Sequence, residues 1–392
     1  MNDVFILSGQ RTAIGDYGKS LKDVPPIKLG EIAIRAAMAK SGVEAAEIQY
    51  IVMGNVIHTE PRDAYLSRVA AVEAGIPVEA PALTVNRLCG SGLQAVVSAA
   101  QSIMLGDAAL AVAGGAESMS RGGYLLPAAR WGARLGDSQM IDMVAGALHD
   151  PFGHGHMGIT AENIAALYGL TRAQQDEFSA ESHRRAATAI AAGYFKEQIT
   201  PVELPSRKGA LIFDTDEHPR ADTTVESLAG LRPAFKKEGT VTAGNASSLN
   251  DGAGALVLAN GTEVTRRNLK PMARLVAYGH AGVAPDVMGL GPIPASRNAL
   301  RKAGLNIADI DVIESNEAFA AQACAVAKEL EFDPAKVNPN GGAVALGHPI
   351  GASGAIIAIK AIYELHRTFG RYAMVTMCIG GGQGIAVVLE RV

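Results

Sequence analysis

The chain has 392 residues, of which 48% are hydrophobic, 19% are charged and 5% are aromatic. This composition excludes a disordered chain, and the length suits roughly two or three domains. A net charge of −4 without a basic block argues against nucleic acid as a partner. Three cysteines form neither a disulfide framework nor a metal-ligand spacing, which indicates a reducing, cytoplasmic compartment where a thiol can be catalytic.

Two 19-residue stretches, 88–106 and 341–359, contain no Asp, Glu, Lys or Arg. Their length would suffice for a membrane span. The first, however, carries several Ser and Gln residues, and the second carries several Gly residues, a His and a Pro. We therefore expect them in the core of a large protein, without a membrane partner.

An internal duplication is visible at an offset of 262 residues. The matched pairs are Gly42 with Gly304, Ile48 with Ile310, Ile51 with Ile313, Ser91 with Ser353, Gly92 with Gly354 and Ala99 with Ala361. One offset that fits two separate segments predicts two similar halves, related by a pseudo-two-fold axis, with one site built from loops of both.

An insertion interrupts the first copy. The closing strand of copy two, 384–389, matches 254–258, which lies beyond a long intervening segment. We predict an N-terminal core half of 1–118 plus 250–270, an inserted domain of 119–249 and a C-terminal core half of 271–392. Long insertions in compact domains usually serve binding, so the insertion is expected to form a loop-rich lid over the site.

Apolar strands alternate with helices, which predicts an α/β fold. The runs 51–53, 109–113 and 373–377 are continuously apolar, as in sheets covered on both faces. The helical segments 29–40 and 296–303 lie between such runs.

Cys89 follows Asn86-Arg87-Leu88 and precedes Gly90-Ser91-Gly92, at the entry to a helix predicted from Leu93 to Leu105. Unpaired N–H groups and the partial positive charge of a helix N-terminus favour thiolate over thiol. The flanking glycines would let a substrate approach the sulfur. The alternative is a small buried structural thiol.

His348, in Gly347-His348-Pro349-Ile350-Gly351, occupies the position that corresponds to Asn86 in copy one. Its loop therefore mirrors the Cys89 loop, and a His facing a Cys could take its proton and then donate a hydrogen bond. A satisfied structural His is the alternative.

Cys378 and Asn316 each follow an apolar strand. Cys378 precedes Ile379-Gly380-Gly381-Gly382. The backbone N–H groups of this run could hold an oxyanion. Alternatively, the glycines serve only to make a turn. Asn316, after 312–313, could position a water or cap a helix. Cys324 lies inside 320–330 without such a setting and is predicted to be core.

These blocks and the duplicated layout resemble the thiolase family, the acetyl-CoA acetyltransferases and β-ketoacyl-CoA thiolases, over essentially the whole chain. Further blocks that carry the resemblance are Arg11-Thr12-Ala13, Gly114 to Ser120, His156-Met157-Gly158 and Thr242 to Ser247. The resemblance implies a thiolase-like fold with α-β-α-β-α layers. It also implies acyl-CoA and free CoA as substrates, no metal or other cofactor, and a homotetramer built from dimers, with oligomer contacts made by the insertion.

The resemblance also implies roles at the site. Cys89 would hold the acyl group as a thioester after activation by His348, and Cys378 would move the α-proton of the second acyl-CoA. Asn316 would hold a water that stabilises the enolate oxygen together with His348, and the N–H groups of Cys89 and Gly380 would form the other oxyanion hole.

The insertion and its neighbours would bind CoA, by the same resemblance. The expected residues are His156, Met157, Arg220, Ser227, Phe235, Ala243, Ser247, Ala318 and Phe319. Arg220 and Ser227 would lie near the adenosine or its phosphate, and Ser247 and His156 along the pantetheine. Ser248 stands where the family commonly has Gly, which predicts a slightly narrower pantetheine tunnel.

Two other functions fit the same broad fold. A decarboxylating ketoacyl synthase uses one Cys with two His, or with His and Asn, so that Cys378 argues against it. A non-catalytic lipid carrier would not need the complete set of Cys89, Asn316, His348 and Cys378.

Overall fold

The computed structural model describes residues 3–206 and 209–392. Its strands are β1 Val4–Thr12, β2 Gly15–Asp16, β3 Tyr50–Gly54, β4 Ala82–Val85, β5 Leu110–Ser118, β6 Tyr124–Leu125, β7 Ile141–Asp142, β8 Ile199–Thr200, β9 Val202–Leu204, β10 Leu211–Phe213, β11 Asn250–Asn260, β12 Ala273–Gly282, β13 Val312–Ser315, β14 Tyr372–Ile379 and β15 Gln383–Arg391. Its α-helices are α1 Pro26–Ser41, α2 Leu66–Glu73, α3 Ser91–Leu105, α4 Met143–Ala147, α5 Met157–Tyr168, α6 Arg172–Ala191, α7 Val225–Ala229, α8 Gly261–Arg267, α9 Pro292–Ala303, α10 Ala320–Glu329, α11 Ala343–Leu346 and α12 Ser353–Thr368.

One mixed sheet of eleven strands runs through both halves, in the order β13-β14-β15-β12-β1-β11-β5-β3-β4, with β2 beside β11 and β8 beside β1. The two halves meet where β1 pairs with β12 through residues 4–6 and 273–275. Parallel pairs lie toward both ends, β13 with β14 and β5 with β3, and antiparallel pairs lie in the middle. The order of equivalent strands reverses at the junction, as a pseudo-two-fold axis requires.

The predicted duplication is present in the fold. β3 and β13, α3 and α12, and β5 and β14 begin at residues that are 262 positions apart. At the crossing of α3 and α12, a Cβ on Gly92 would lie 2.8 Å from Ala355 N, and one on Gly354 would lie 2.3 Å from Leu93 N. The repeated glycines therefore let the two central helices touch through their backbones.

The layers follow from which face each residue presents. In β3, Val52 joins the central apolar cluster with Leu93 and Ile359, whereas its neighbour Ile51 joins the outer cluster with Ile34 of α1. On the other half, α9 and α10 cover the outer face of β13 and β14. The result is the predicted α-β-α-β-α arrangement, with α3 and α12 as its middle layer.

The first charge-free stretch forms the buried helix that we predicted. The segment Leu88–Leu105 is long and apolar enough for a membrane span, but it packs against α12 and the strands, and 56% of it is buried. The second stretch contains the short helix α11, the loop around His348 and the buried start of α12. Burial in a large core accounts for the missing charges in both.

The insertion is anchored to the sheet. The chain leaves the sheet at Ser118 and returns at Asn250, and between them β8 pairs with β1. Arg11 of β1 forms a bidentate ion pair with Asp216 of the insertion, at 2.7 and 2.8 Å, and both side chains are fully buried. The boundaries of the three predicted domains stay a prediction.

β5 is longer than the apolar pattern predicted. The run 109–113 continues as a strand through Gly114 and Gly115 to Ser118, because both glycines stay paired with β11. This extension carries Glu117 to the end of the strand, next to the site.

Candidate active site

Loops from both copies and from the insertion enclose a cavity of about 380 Å³. The predicted site residues in its wall are Cys89, His156, Met157, Phe235, Ala243, Ser247, Ala318, Phe319, His348 and Gly380. The structure therefore brings together most of the residues that the sequence analysis selected.

Cys89 sits in a tight turn just before α3. Leu88 has a left-handed backbone with φ of 46°, which is strained for a branched side chain. Ser91 closes the turn: its Oγ accepts a hydrogen bond from Arg87 N at 2.8 Å and donates one to Leu88 O at 2.7 Å. The turn places Cys89 in the cavity wall.

The prediction that Cys89 is a thiolate is wrong. Burial raises the pKa of the Cys89 thiol to about 11, and the charge of Glu117 adds to this, whereas the N–H groups of Gly380 and Cys89 lower the pKa. Desolvation outweighs the helix N-terminus because residues of the insertion and of the other copy, such as Met119 and His348, surround the partly buried Cys89. At neutral pH Cys89 is a thiol that needs a base.

His348 has the properties of that base. Its Nδ1 lies 2.6 Å from Ser353 Oγ, and this hydroxyl donates to Pro349 O at 2.9 Å. Ser353 therefore accepts the Nδ1–H, and Nε2 carries the lone pair. Burial lowers the pKa of His348 to about 4, so that the imidazole is neutral at neutral pH.

Cys378 lies near the carboxyl end of β14, fully buried, and packs in one apolar cluster with Met157, Met288 and Phe319, all in the cavity wall. Burial raises the pKa of its thiol, and the charge of Cys89 raises it further. Met157, Met288 and Phe319 line the cavity, whereas Cys378 and Asn316 are not part of its wall.

Asn316 follows β13 and reaches toward the imidazole. Its Nδ2 lies 3.5 Å from His348 Nε2, and its Oδ1 is buried with no hydrogen-bond partner among the described residues. Glu317 holds this loop by accepting hydrogen bonds from Ser182 Oγ, Asn338 Nδ2 and Val344 N. The orphaned oxygen can accept a hydrogen bond from a water or a substrate group.

Gly380 opens the turn after β14. A Cβ there would lie 3.1 Å from Leu88, and its N–H stabilises the Cys89 thiolate. Gly381 and Gly382 have φ of 81° and 89°. The glycine run therefore makes a turn that needs left-handed residues and presents the N–H of Gly380 to Cys89, while its role in holding an oxyanion stays a prediction.

Arg220 and Ser227 line a second cavity, also of about 380 Å³, together with His183 and His218. Ala243 belongs to the walls of both cavities. In the first cavity, the His156 ring stacks on Phe235 with centroids 4.6 Å apart. The candidate CoA residues thus fall in two neighbouring cavities with one residue in common.

Ser248 lines the first cavity, and its Oγ donates to Asn250 Oδ1 at 2.8 Å.

Cys324, expected in the core, is only partly buried and lines a separate cavity between α6 and α10. Within residues 3–206 and 209–392, no three His, Cys, Asp or Glu side chains are grouped so that they could hold a metal ion.

Three residues that hold the site together, Ser353, Asn250 and Glu117, were not predicted from the sequence. Ser353 repeats Ser91 at the offset of 262, and Ser91 also bonds its own catalytic loop. That correspondence was visible in the sequence. The partners of Asn250 and Glu117 lie 98 and 234 residues away, and no local pattern marks them.

Comparisons with known proteins identify the family. Residues 4–262 match the model of the thiolase N-terminal domain, and residues 269–391 match that of the thiolase C-terminal domain. The chain is 63% identical to the β-ketothiolase BktB of Cupriavidus necator, covering 100% of this chain and 99% of that protein. It is 49% identical to an acetyl-CoA acetyltransferase of Pseudomonas aeruginosa, with full coverage of both.

Solved structures agree as well. The Bacillus anthracis acetyl-CoA acetyltransferase superposes with a TM-score of 0.98 at 45% identity, covering 100% of this chain and 99% of that one. Human mitochondrial 3-ketoacyl-CoA thiolase in complex with CoA gives 0.96 at 43% identity, covering 100% and 98%. The two family models and these full-length matches lead to one conclusion: this chain belongs to the thiolase family.

Proposed function

We propose that this chain transfers acyl groups between CoA thioesters, by reversible thiolysis of 3-ketoacyl-CoA or by Claisen condensation of two acyl-CoA molecules. The observation that carries the proposal is the grouping of the Cys89 thiol and the neutral His348 imidazole in one cavity wall, with the buried Cys378 thiol packed against three side chains of that wall. The names of the relatives, β-ketothiolase and acetyl-CoA acetyltransferase, support it.

In the first half-reaction, His348 Nε2 takes the proton of Cys89 as its sulfur attacks the thioester carbonyl. The N–H groups of Cys89 and Gly380 hold the oxyanion, and one such donor is typically worth about 3 kcal/mol of transition-state stabilisation. The tetrahedral intermediate collapses to acyl-Cys89. The CoA sulfur leaves and takes its proton from Cys378, which becomes a thiolate.

In the second half-reaction, the Cys378 thiolate takes the α-proton of the second acyl-CoA. Protonated His348, with a water held by Asn316, donates to the enolate oxygen. The enolate carbon attacks acyl-Cys89 and forms the new C–C bond. The Cys89 sulfur leaves and recovers its proton from His348, which restores both thiols and the neutral imidazole.

CoA would occupy both cavities. The acyl group and pantetheine fit the first, apolar cavity, along His156, Phe235 and Ser247. The adenosine and its phosphate fit the second, where the exposed Arg220 offers a cation. Ala243 marks the passage between the two.

Turnover of acetoacetyl-CoA with free CoA tests the proposal against its two rivals. A thiolase consumes acetoacetyl-CoA and releases two acetyl-CoA. Cys89→Ala removes the activity, whereas Cys324→Ala, a change to a cysteine outside the site, retains it. A ketoacyl synthase would require a malonyl thioester, and a non-catalytic carrier would leave acetoacetyl-CoA intact, so either result contradicts the proposal.

We also propose a homotetramer built from dimers. Large apolar side chains are exposed on the early insertion, among them Trp131 at 83%, Leu135 at 99% and Met140 at 64%. Large apolar side chains exposed together along one segment are typical of protein–protein contact surfaces. Light scattering should give four copies, and Leu135→Glu should give a smaller species; a wild-type monomer would contradict the proposal.

The proposed location is the cytoplasm. All three cysteines carry free thiols, and two of them are assigned to catalysis in their reduced form. Cell fractionation that finds the protein in a membrane or in an oxidising compartment would contradict this.

A further inference from the structure

Two side chains of copy one hold the two ends of the His348 loop. At the start of the loop, His348 N donates to Asn250 Oδ1 at 2.8 Å. Near its end, Gly351 N donates to Glu117 Oε2, also at 2.8 Å. Asn250 and Glu117 are both fully buried, and neither takes part in the chemistry proposed above.

The Glu117 carboxylate joins the two copies. Besides Gly351 N, it accepts hydrogen bonds at 3.1 Å from Val56 N, Ile57 N and Asn55 Nδ2, in the loop after β3. Burial raises the pKa of Glu117 to about 8, whereas the N–H groups of Ile57, Gly351 and Val56 lower it. All four partners are donors, so both carboxyl oxygens of Glu117 are held as acceptors. Residues beside these anchors, Ile57 and Ile350, pack in one apolar cluster against Cys89. The carboxylate thus fixes backbone on both sides of the thiol.

The side chain of Asn250 also uses both its amide oxygen and its amide nitrogen in hydrogen bonds. Its Oδ1 also accepts from Ser248 Oγ, and its Nδ2 donates to Gly15 O at 3.1 Å and to Asp16 Oδ1 at 3.3 Å. The backbone of His348 is therefore tied to the first residue of β11 and, through it, to β2.

Between these two ties the loop lies directly on glycine backbone. A Cβ on Gly115 would lie 2.2 Å from Gly351 O, and one on Gly54 would lie 2.7 Å from the same oxygen. At these two contacts backbone meets backbone, and no side chain can change its rotamer to accommodate a shift of the loop. The hydrogen bonds to Glu117 and Asn250 consequently determine the position of the loop.

We propose that Glu117 and Asn250 are positioning residues that set the separation between the His348 imidazole and the Cys89 thiol. The proposal rests on the proposed function in that it takes Cys89 as the nucleophile and His348 as its base. The other titratable groups around the thiol are Cys378 and Glu117 itself, and Asp63 acts on Glu117.

The test is the rate at which iodoacetamide alkylates Cys89 in the full-length protein, read by mass spectrometry of its peptide. Glu117→Gln turns an N–H₂ group toward two N–H groups and pushes the loop away. We expect alkylation at pH 7 to fall on the order of 100-fold. The deficit should shrink as the pH rises toward 10, because hydroxide replaces the displaced base.

Two further variants keep the test decisive. Glu31→Gln removes another nearly buried carboxylate, on the outer helix α1 where it pairs with Lys28 and Arg35, and should alkylate at the wild-type rate. Asn250→Ala releases the other end of the loop and should also slow alkylation, which covers a failure of Glu117→Gln to fold. Wild-type rates in the folded variants would overturn the positioning role. Wild-type Cys89 reacting no faster than Cys324 would instead contradict the proposed nucleophile.

Discussion

Ser353 Oγ lies 2.6 Å from His348 Nδ1 and 2.9 Å from Pro349 O. With its hydrogen committed to Pro349, the hydroxyl fixes the imidazole tautomer that keeps the lone pair on Nε2, where it can accept the proton of Cys89. Ser353→Ala should lower kcat/KM on the order of tenfold, since one such hydrogen bond is worth about 1 to 1.5 kcal/mol. Ser353→Cys should recover part of the loss. Steady-state thiolysis of acetoacetyl-CoA measures both, and an unchanged kcat/KM in Ser353→Ala would contradict the assignment.

Acid should destabilise the protein through its buried histidines. Burial lowers the pKa of His348 from 6.5 to about 4, and the pKa of His183 is lowered to about 4 by burial and by nearby cations. Between these values the unfolded chain binds more protons than the folded one, so stability is complete above pH 6.5 and falls as the pH drops toward 4. For His348 the loss is on the order of 3 kcal/mol.

Thermal unfolding followed from pH 7.5 to 4 measures this effect. His348→Asn removes one titrating group, so its unfolding temperature should fall less steeply with acid than that of the wild type. Parallel curves for the two proteins would show that His348 is charged or exposed in the folded state.

Substitutions of Cys89 and Cys378 should affect different steps of the reaction. Cys378→Ser should slow exchange of the α-protons of acetyl-CoA with deuterated solvent by at least about 100-fold, because it removes the base for that proton. Acylation of Cys89 by acetyl-CoA should fall far less. Rapid quench and proton NMR give the two rates, and equal losses in both would contradict the division of labour.

The passage at Ala243 should control access of CoA. Ala243→Phe places a ring between the two cavities, so the KM for CoA should rise by about tenfold or more, with a smaller change in kcat. Alkylation of Cys89 by iodoacetamide should stay at the wild-type rate, because that small reagent needs only the first cavity. An unchanged KM for CoA would mean that CoA does not bridge the two cavities.

The duplication made much of the fold predictable. Because Gly92 and Gly354 must be glycine for α3 and α12 to cross, the repeat left a mark in the sequence that local reading can find. The pairing of β1 with β12 at the junction of the two halves left no such mark, since it rests on three residue pairs between distant strands. The domain boundaries and the roles of the site residues stay predictions.

The ionisation of Cys89 shows where sequence reasoning failed. Its neighbours in the chain favour a thiolate, yet burial raises the pKa to about 11. That burial comes from segments far away in sequence, such as Met119 and Leu249, which share the cavity wall with it. A pKa set by desolvation depends on the whole packed structure rather than on the local motif.

Mass spectrometry of the protein quenched after mixing with acetyl-CoA tests the central claim most directly. We predict one acetyl group on the Cys89 peptide of the wild type and none on that of Cys89→Ala, with Cys324→Ala as the matched cysteine control. A covalent acetyl group that persists in Cys89→Ala, or one that the wild type carries on Cys378 or Cys324, would contradict the account.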